Sequence, residues 1–324
     1  MPSNGSGTII WRRAIVIDTY RNSWRILKIT LTKAQFLGSN AMNDLRGRTA
    51  LVTGAAGGIG REFVLSLLRA RANVLAADVS DAGLQRLVKT MERDGFGQCL
   101  TSCHLDISDH RACATSVEAA CERFGALHIL INNGALGMGA IRDDHMTNLV
   151  GIDEITPDIW DRFVAVNLSG AWYLTRAAVP AMKHAGWGRI ITVTTSFYTM
   201  LRGKFHPYGP VKAGLEAMAA GHAKEFDGTG ITVNIIVPGG PTDTPMVPAS
   251  SGLKREDLSP PVLMTYPLLW LCSAEADGVT GKRYVAAKWD PGASIETARN
   301  ASEAPIGWPE LATAPVWPGG TPKA

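Results

Sequence analysis

An apolar run, Thr49-Ala50-Leu51-Val52, passes straight into Thr53-Gly54-Ala55-Ala56-Gly57-Gly58-Ile59-Gly60, and a helical pattern through Glu62–Arg69 follows. A strand, a glycine-dense turn and a helix in that order leave few architectures open. Glycines let backbone approach another group closely, and a helix start offers unpaired N–H groups and the positive end of its dipole. That combination suits a pyrophosphate when an acid also lies downstream. Asp78 is that acid, closing the next apolar run, Asn73-Val74-Leu75-Ala76-Ala77-Asp78, 18 residues beyond Gly60. A carboxylate there accepts hydrogen bonds from both ribose hydroxyls and repels a 2′-phosphate. No Lys or Arg lies between Thr53 and Gly60, and Val79 and Ser80 follow the acid. NAD(H) is therefore expected, with NADP(H) the weaker alternative.

The alternation continues along the chain. A helix is expected over Ala82–Asp94, a strand over Cys99–Asp106, a helix over Arg111–Phe124 and a strand over His128–Asn132. One long helix, Pro157–His184, then precedes the strand Arg189–Thr194, the helix Tyr208–Phe226 and the strand Ile231–Val237. A last helix, about Pro261–Cys272, leads to a short strand at Arg283–Ala287. Continuous apolar strands separated by helices mean a parallel sheet covered on both faces. Right-handed crossovers make it a Rossmann-type doubly wound sheet, three-layer α/β/α, in a single domain over residues 42–290.

The ends read differently. Residues 1–41 carry Arg12, Arg13, Arg21, Arg25, Lys28 and Lys33 against one acid, Asp18, without the compact apolar region of a secretory signal. The stretch is read as an upstream start before Met42, with an organelle-targeting leader as the alternative; otherwise the chain is expected to be cytoplasmic. Residues 291–324 are rich in proline and read as an irregular tail, whose Trp308 and Trp317 argue that it packs on something.

A net charge of +3 with no basic stripe gives nucleic-acid binding little support. No apolar run reaches the length of about 20 residues that spans a bilayer. Of the five cysteines, Cys99 and Cys103 have three residues between them, which is not zinc-knuckle spacing, so free thiols and no metal are expected.

Tyr208-Gly209-Pro210-Val211-Lys212 puts Tyr and Lys four apart at a helix start, on one face. A phenol with a pKa near 10 is a poor base at neutral pH. A unit charge at about 4 Å, with an effective dielectric near 20, is worth roughly 4 kcal/mol, or about three pKa units. Lys212, helped by an oxidised nicotinamide ring, would bring the phenolate within reach of neutral pH.

With these motifs in this order, the chain resembles the short-chain dehydrogenase/reductase family across about Leu45–Trp289. The motifs that carry the resemblance are Thr53–Gly60, Asp78, Asp106, Asn132-Asn133-Gly134, Asn167, the Thr194–Ser196 strand end, Tyr208/Lys212 and Asn234…Pro238-Gly239. The resemblance implies that Asp106 and Ile107 border an adenine and that Asn132 and Gly134 lie beside the cofactor. Thr53, Gly54, Gly58, Ile59 and Gly60 would cradle it. Pro238, Gly239 and Thr244 would contact its nicotinamide side, and Asn167 would hold a water linking Lys212 to a proton relay. It also implies a homodimer or homotetramer formed through the long helices 157–184 and 208–226.

The departures from the family pattern are informative. Where a serine is customary, thirteen residues before the tyrosine, this chain has Thr195, with Ser196 next. Either hydroxyl can orient a carbonyl oxygen. Gly134-Ala135 reverses the usual order of small residues, the Pro238–Thr244 segment is one residue longer, and Ala286-Ala287-Lys288 replaces a glycine-ended last strand.

A long loop between Ala135 and Thr156 carries Arg142 and His145, candidates for a polar or anionic substrate, although a solvated loop is the favoured reading of both. Phe197, Tyr198, His206 and Met246 are expected near the pocket walls, and Met246–Pro261 as a lid. The expected activity is hydride transfer between NAD(H) and a small-molecule secondary alcohol or ketone, with 3-oxoacyl, polyol and sterol compounds all open. The alternatives are an epimerase or dehydratase that retains NAD, and a non-catalytic NAD-binding scaffold.

Overall fold

The first strand, β1 (Thr49–Thr53), is buried along its whole length, as its run of apolar and threonine residues requires. It belongs to a computed structural model that describes residues 44–312. After β1 come α1 (Gly58–Arg69), β2 (Asn73–Asp78), α2 (Asp81–Arg93), β3 (Leu100–His104), α3 (His110–Phe124) and β4 (Ile129–Asn132). Helix α4 (Pro157–Val164) runs through a π turn, Ala165–Ser169, into α5 (Gly170–Ala185). Then follow β5 (Gly188–Val193), the short α6 (Phe197–Met200), α7 (Tyr208–Glu225) and β6 (Ile231–Val237). The last elements are α8 (Thr265–Cys272), β7 (Lys282–Val285), α9 (Ile295–Ser302) and β8 (Glu303–Pro305).

The strands pair in the order β3-β2-β1-β4-β5-β6-β7-β8. All pairs are parallel except β7–β8. Strand order reverses between β1 and β4, the switch point at which ligands bind such sheets. Successive residues serve opposite faces: Ala50 and Val52 join the core under α1 and α8, while Leu51 joins the core under α3 and α5. Each fully buried Val, Leu or Ile contributes about 1.5–3 kcal/mol, so apolar burial holds the sheet from both sides. The chain thus forms the single doubly wound domain its strand pattern predicts.

Three expectations need revision. The helix over 157–184 is not regular: the π turn around Asn167 adds a residue to one turn and re-aims the side chains there. Residues 261–264, expected to open the last helix, form a 3₁₀ turn, because Pro267 has no N–H to donate to the Leu263 carbonyl, as an α-helix continuous from Pro261 requires. The stretch from residue 291 is not irregular throughout: it holds a helix and a strand as far as Pro305. Ser294 caps α9 by accepting from the Thr297 amide at 3.2 Å, and β8 adds to the sheet edge against β7. Trp317 and residues 1–41 lie outside the described residues. No helix among the described residues is long and apolar enough to cross a membrane.

Candidate active site

The C-terminal ends of β1, β2, β4, β5 and β6 converge on one edge of the sheet, and the glycine loop sits at its switch point. Gly54 has a φ of +63°, and a Cβ added there would come within 2.8 Å of the Gly134 Cα. A Cβ on Gly60 would meet the Gly54 carbonyl oxygen at 2.0 Å. Only glycine lets the loop close this tightly. Gly57 instead faces open space, and it begins α1 with no side-chain cap. The amides of the first turn are therefore left for an anion. Asp78 flanks this cradle: its carboxylate accepts from the Ala56 amide at 2.9 Å and from the Ser80 amide at 2.9 Å. An open helix start beside a fixed acid fits the phosphates and ribose of a dinucleotide. Ile59 packs partly into the core from the same helix start.

Thr53 and Asn133 hold the cradle from behind. The Thr53 hydroxyl donates to the Ile131 carbonyl at 3.1 Å and accepts from the amides of Asn133 and Gly134. The Asn133 side chain donates to the carbonyls of Thr53, at 2.8 Å, and Gly54, at 3.3 Å. Thr53 thereby acts through the loop. Asn133 was no more than a member of the Asn132–Gly134 motif in the sequence, yet it fastens β4 to β1. Asn132 is buried and donates to the Thr175 hydroxyl on α5 at 3.4 Å, while its Oδ1 has no partner among the described residues.

Asp106 accepts from the Ser108 amide and hydroxyl just past β3. The neighbouring Ile107 lies against Gly170, where a Cβ would meet its carbonyl oxygen at 2.8 Å. On the opposite side, the Thr244 methyl would be 3.1 Å from a Cβ on Gly58, so the loop after β6 leans over the cradle. Gly239 turns that loop with a φ of +95°, and the Pro238 carbonyl accepts from Ala287 at 3.0 Å. Arg255 clasps the segment expected as a lid, donating to Asp243 at 3.0 Å and to the carbonyls of Thr244 and Val247.

Tyr208 and Lys212 open α7 on one face, with the Lys212 Nζ 5.8 Å from the Tyr208 ring centre. Lys212 is buried and donates to the Val193 carbonyl at 2.8 Å. Burial pushes the Tyr208 phenol up to about 12 and the Lys212 ammonium down to about 8. Phe205 supports the tyrosine edge-on at 5.8 Å. Asn167 sits at the π turn with both ends of its amide spent on Leu136: it accepts from the backbone N–H at 2.7 Å and donates to the carbonyl at 2.9 Å.

The two candidate hydroxyls part company. Ser196 caps α6, accepting from the Thr199 amide at 3.1 Å and lying 2.9 Å from the Thr199 hydroxyl. The Thr195 hydroxyl has no such partner among the described residues, while its carbonyl accepts from Arg283 at 2.9 Å.

Arg142 and His145 are committed elsewhere. Arg142 pairs with Glu154, and buried His145 bonds the Arg142 carbonyl through Nδ1 at 3.2 Å, so the long loop uses both to brace itself. Met246 lies against Gly137, and Tyr198 stands 76% exposed, free to line a mouth. Phe197 packs against the Arg283 guanidinium, 4.0 Å from its ring centre, and against Trp308, at 5.5 Å. The tail tryptophan thus packs beside the site, within its own chain.

Residues 48–252 match the family model described as short chain dehydrogenase. Over 216 residues the chain is 32% identical to a 3-oxoacyl-[acyl-carrier-protein] reductase of Pseudomonas aeruginosa, covering 66% of this chain and 82% of that protein. Over 196 residues it is 32% identical to the 3beta-hydroxysteroid dehydrogenase 2 of Eggerthella lenta, covering 60% of this chain and 71% of that one. A dehydrogenase/reductase structure from Sinorhizobium meliloti superposes with a TM-score of 0.66 at 26% identity, over 77% of this chain and 96% of that chain. The fold is shared as well with a short chain dehydrogenase of Shigella flexneri complexed with NADP, at a TM-score of 0.67 and 24% identity over 76% and 99% of the two chains.

Proposed function

The chain belongs to the short-chain dehydrogenases, oxidoreductases acting on CH–OH or ketone groups with a nicotinamide cofactor, and on that premise we propose that it transfers hydride between NAD(H) and a secondary alcohol or its ketone. The reading is carried by one observation: Tyr208 and Lys212 share a face of α7 beside the Thr195 strand end.

The nicotinamide ring supplies the hydride acceptor or donor when bound. The glycine loop and the start of α1 hold the phosphates, and Asp78 holds the adenine-side ribose. In oxidation, the Tyr208 oxygen takes the hydroxyl proton as the carbonyl forms; in reduction it returns a proton to the carbonyl oxygen. Lys212 supports that exchange by placing positive charge beside the phenol, which burial alone drives the wrong way. Thr195 donates to the substrate oxygen. Asn167 spends its side chain on Leu136, so its part in a relay runs through the backbone at the π turn.

The Shigella flexneri neighbour holds NADP, whereas the preference for NAD in this chain rests on Asp78. The relatives named above act on 3-oxoacyl and 3β-hydroxysteroid compounds, which supports 3-oxo and secondary hydroxyl substrates here. Fluorescence titration should give NADH at least tenfold tighter binding than NADPH, and Asp78→Ala should narrow the gap. Ethyl acetoacetate, a simple 3-oxo ester, serves as the probe ketone. Tyr208→Phe should cost about 10²–10⁴-fold in its reduction; full activity in that variant would defeat the proposal.

A further inference from the structure

Behind the candidate site lies a buried ion pair that the proposed chemistry does not use. Glu216, on α7, is 0% exposed, and its Oε1 lies 2.9 Å from the Arg283 Nε on β7. The contact is an ion pair rather than a well-aligned hydrogen bond, since the Nε proton has no hydrogen-bond partner of its own. Burial pulls the Arg283 guanidinium below its ordinary range, against the opposing pull of Glu216. Burying two charges is costly, and apolar residues of similar volume often stabilise a fold as well. Stability alone is therefore a poor account of the pair.

Its remaining contacts give a better one. Glu216 Oε2 accepts from the Thr194 hydroxyl at 3.0 Å, and Arg283 donates to the Thr195 carbonyl at 2.9 Å. Two successive residues at the end of β5 are thus tied to one ion pair. Glu216 lies four residues beyond Lys212, itself four beyond Tyr208, so all three follow one face of α7. The pair joins the helix that carries Tyr208 to the strand end that carries Thr195. The C-terminal segment closes the arrangement: the Gly307 amide donates to Glu216 at 3.3 Å, and Trp308 packs on Phe197, the ring that Arg283 also contacts.

We propose that Arg283 and Glu216 are positioning residues that set the distance between the Thr195 hydroxyl and the Tyr208 phenol. The inference rests on the hydride-transfer reading above. Neither residue touches substrate; each acts through the Thr194–Thr195 backbone and hydroxyl. Misplacement of about 1 Å at a reacting centre can cost about 10²-fold in rate.

A double-mutant cycle on the full chain, reading ethyl acetoacetate reduction by NADH, tests it. Arg283→Gln and Glu216→Gln should each lower kcat at least tenfold, with KM within about threefold and the NADH dissociation constant within about twofold. In a Thr195→Ala background, Arg283→Gln should lower kcat no more than about twofold further, because the group it aims is gone. Arg283→Lys keeps the charge but cannot reach both Glu216 and the Thr195 carbonyl. It should show the same kcat loss, and it supplies the measurement if the glutamine variant fails to fold. Equal losses in both backgrounds, or kcat within twofold of wild type in the folded single variants, would overturn the proposal. If Thr195→Ala and Tyr208→Phe are themselves silent, the hydride-transfer reading fails and takes the positioning role with it. If those two act as expected and the Arg283 variants do not, the positioning role alone fails.

Discussion

The Lys212 ammonium group donates a 2.8 Å hydrogen bond to the Val193 carbonyl, so the charge on which the proposed proton transfer relies is buried against the last residue of β5. A lysine lowered from 10.5 to about 8 by burial opposes folding wherever the unfolded chain would be protonated. The sign follows from proton binding. Below pH 8 both states carry the proton and the full penalty of about 3 kcal/mol applies; it fades as pH rises from about 8 toward 10.5. Removing the hydrogen bond returns about 1 kcal/mol in the other direction. Lys212→Met should therefore raise cofactor-free stability at pH 7 by about 2 kcal/mol, or about 4 °C in Tm, while abolishing most turnover. Thermal melts at pH 7 and pH 10 check it: the gain should shrink at the higher pH, and a destabilised variant at pH 7 would refute the argument.

The parts of this site that could be read in the sequence are those encoded locally. The Ile231–Val237 strand, the glycine turn and the Tyr208–Lys212 spacing each need only a few adjacent residues to declare them. The Glu216–Arg283 pair could not be read that way, because nothing near either residue names a partner on another element. The π turn at Asn167 is equally silent, since a one-residue bulge leaves the apolar pattern on both sides intact. The tail misled for a similar reason. Glu303–Pro305 has little strand propensity, and its pairing is supported by tertiary contacts of Glu303 with the Tyr284 hydroxyl at 2.7 Å, Arg299 at 2.9 Å and Lys282 at 3.3 Å.

Thr195 and Ser196 were inseparable by spacing and residue type, but their hydrogen bonds divide them. Ser196 is occupied as a helix cap, and Thr195 presents the hydroxyl without a partner among the described residues. Thr195→Ala should lower kcat for ethyl acetoacetate about 10²-fold, the usual cost of removing one donor to a reacting oxygen. Thr195→Ser should restore most of it. Ser196→Ala should leave kcat within about threefold and cost about 1 kcal/mol in stability through loss of the cap. Steady-state kinetics beside denaturant unfolding separate the two effects, and the reverse pattern would reassign the role to Ser196.

At the opposite edge of the sheet, His128 accepts a 3.1 Å hydrogen bond from the Thr49 amide through Nδ1, which demands the neutral ring. Burial, and then the nearby Arg48 charge, hold its pKa below the ordinary 6.5. For a base lowered in the folded state, stability is complete above the unfolded value and is lost as pH falls from 6.5 through the folded one. Acidification from pH 7.5 to 5.5 should therefore lower Tm. His128→Gln, which keeps an acceptor without a titrating proton, should make that fall shallower. His222, also lowered chiefly by burial, contributes in the same direction, so the single variant should remove only part of the slope. An unchanged slope in His128→Gln would show that the Thr49–His128 bond does not govern acid sensitivity between β1 and β4.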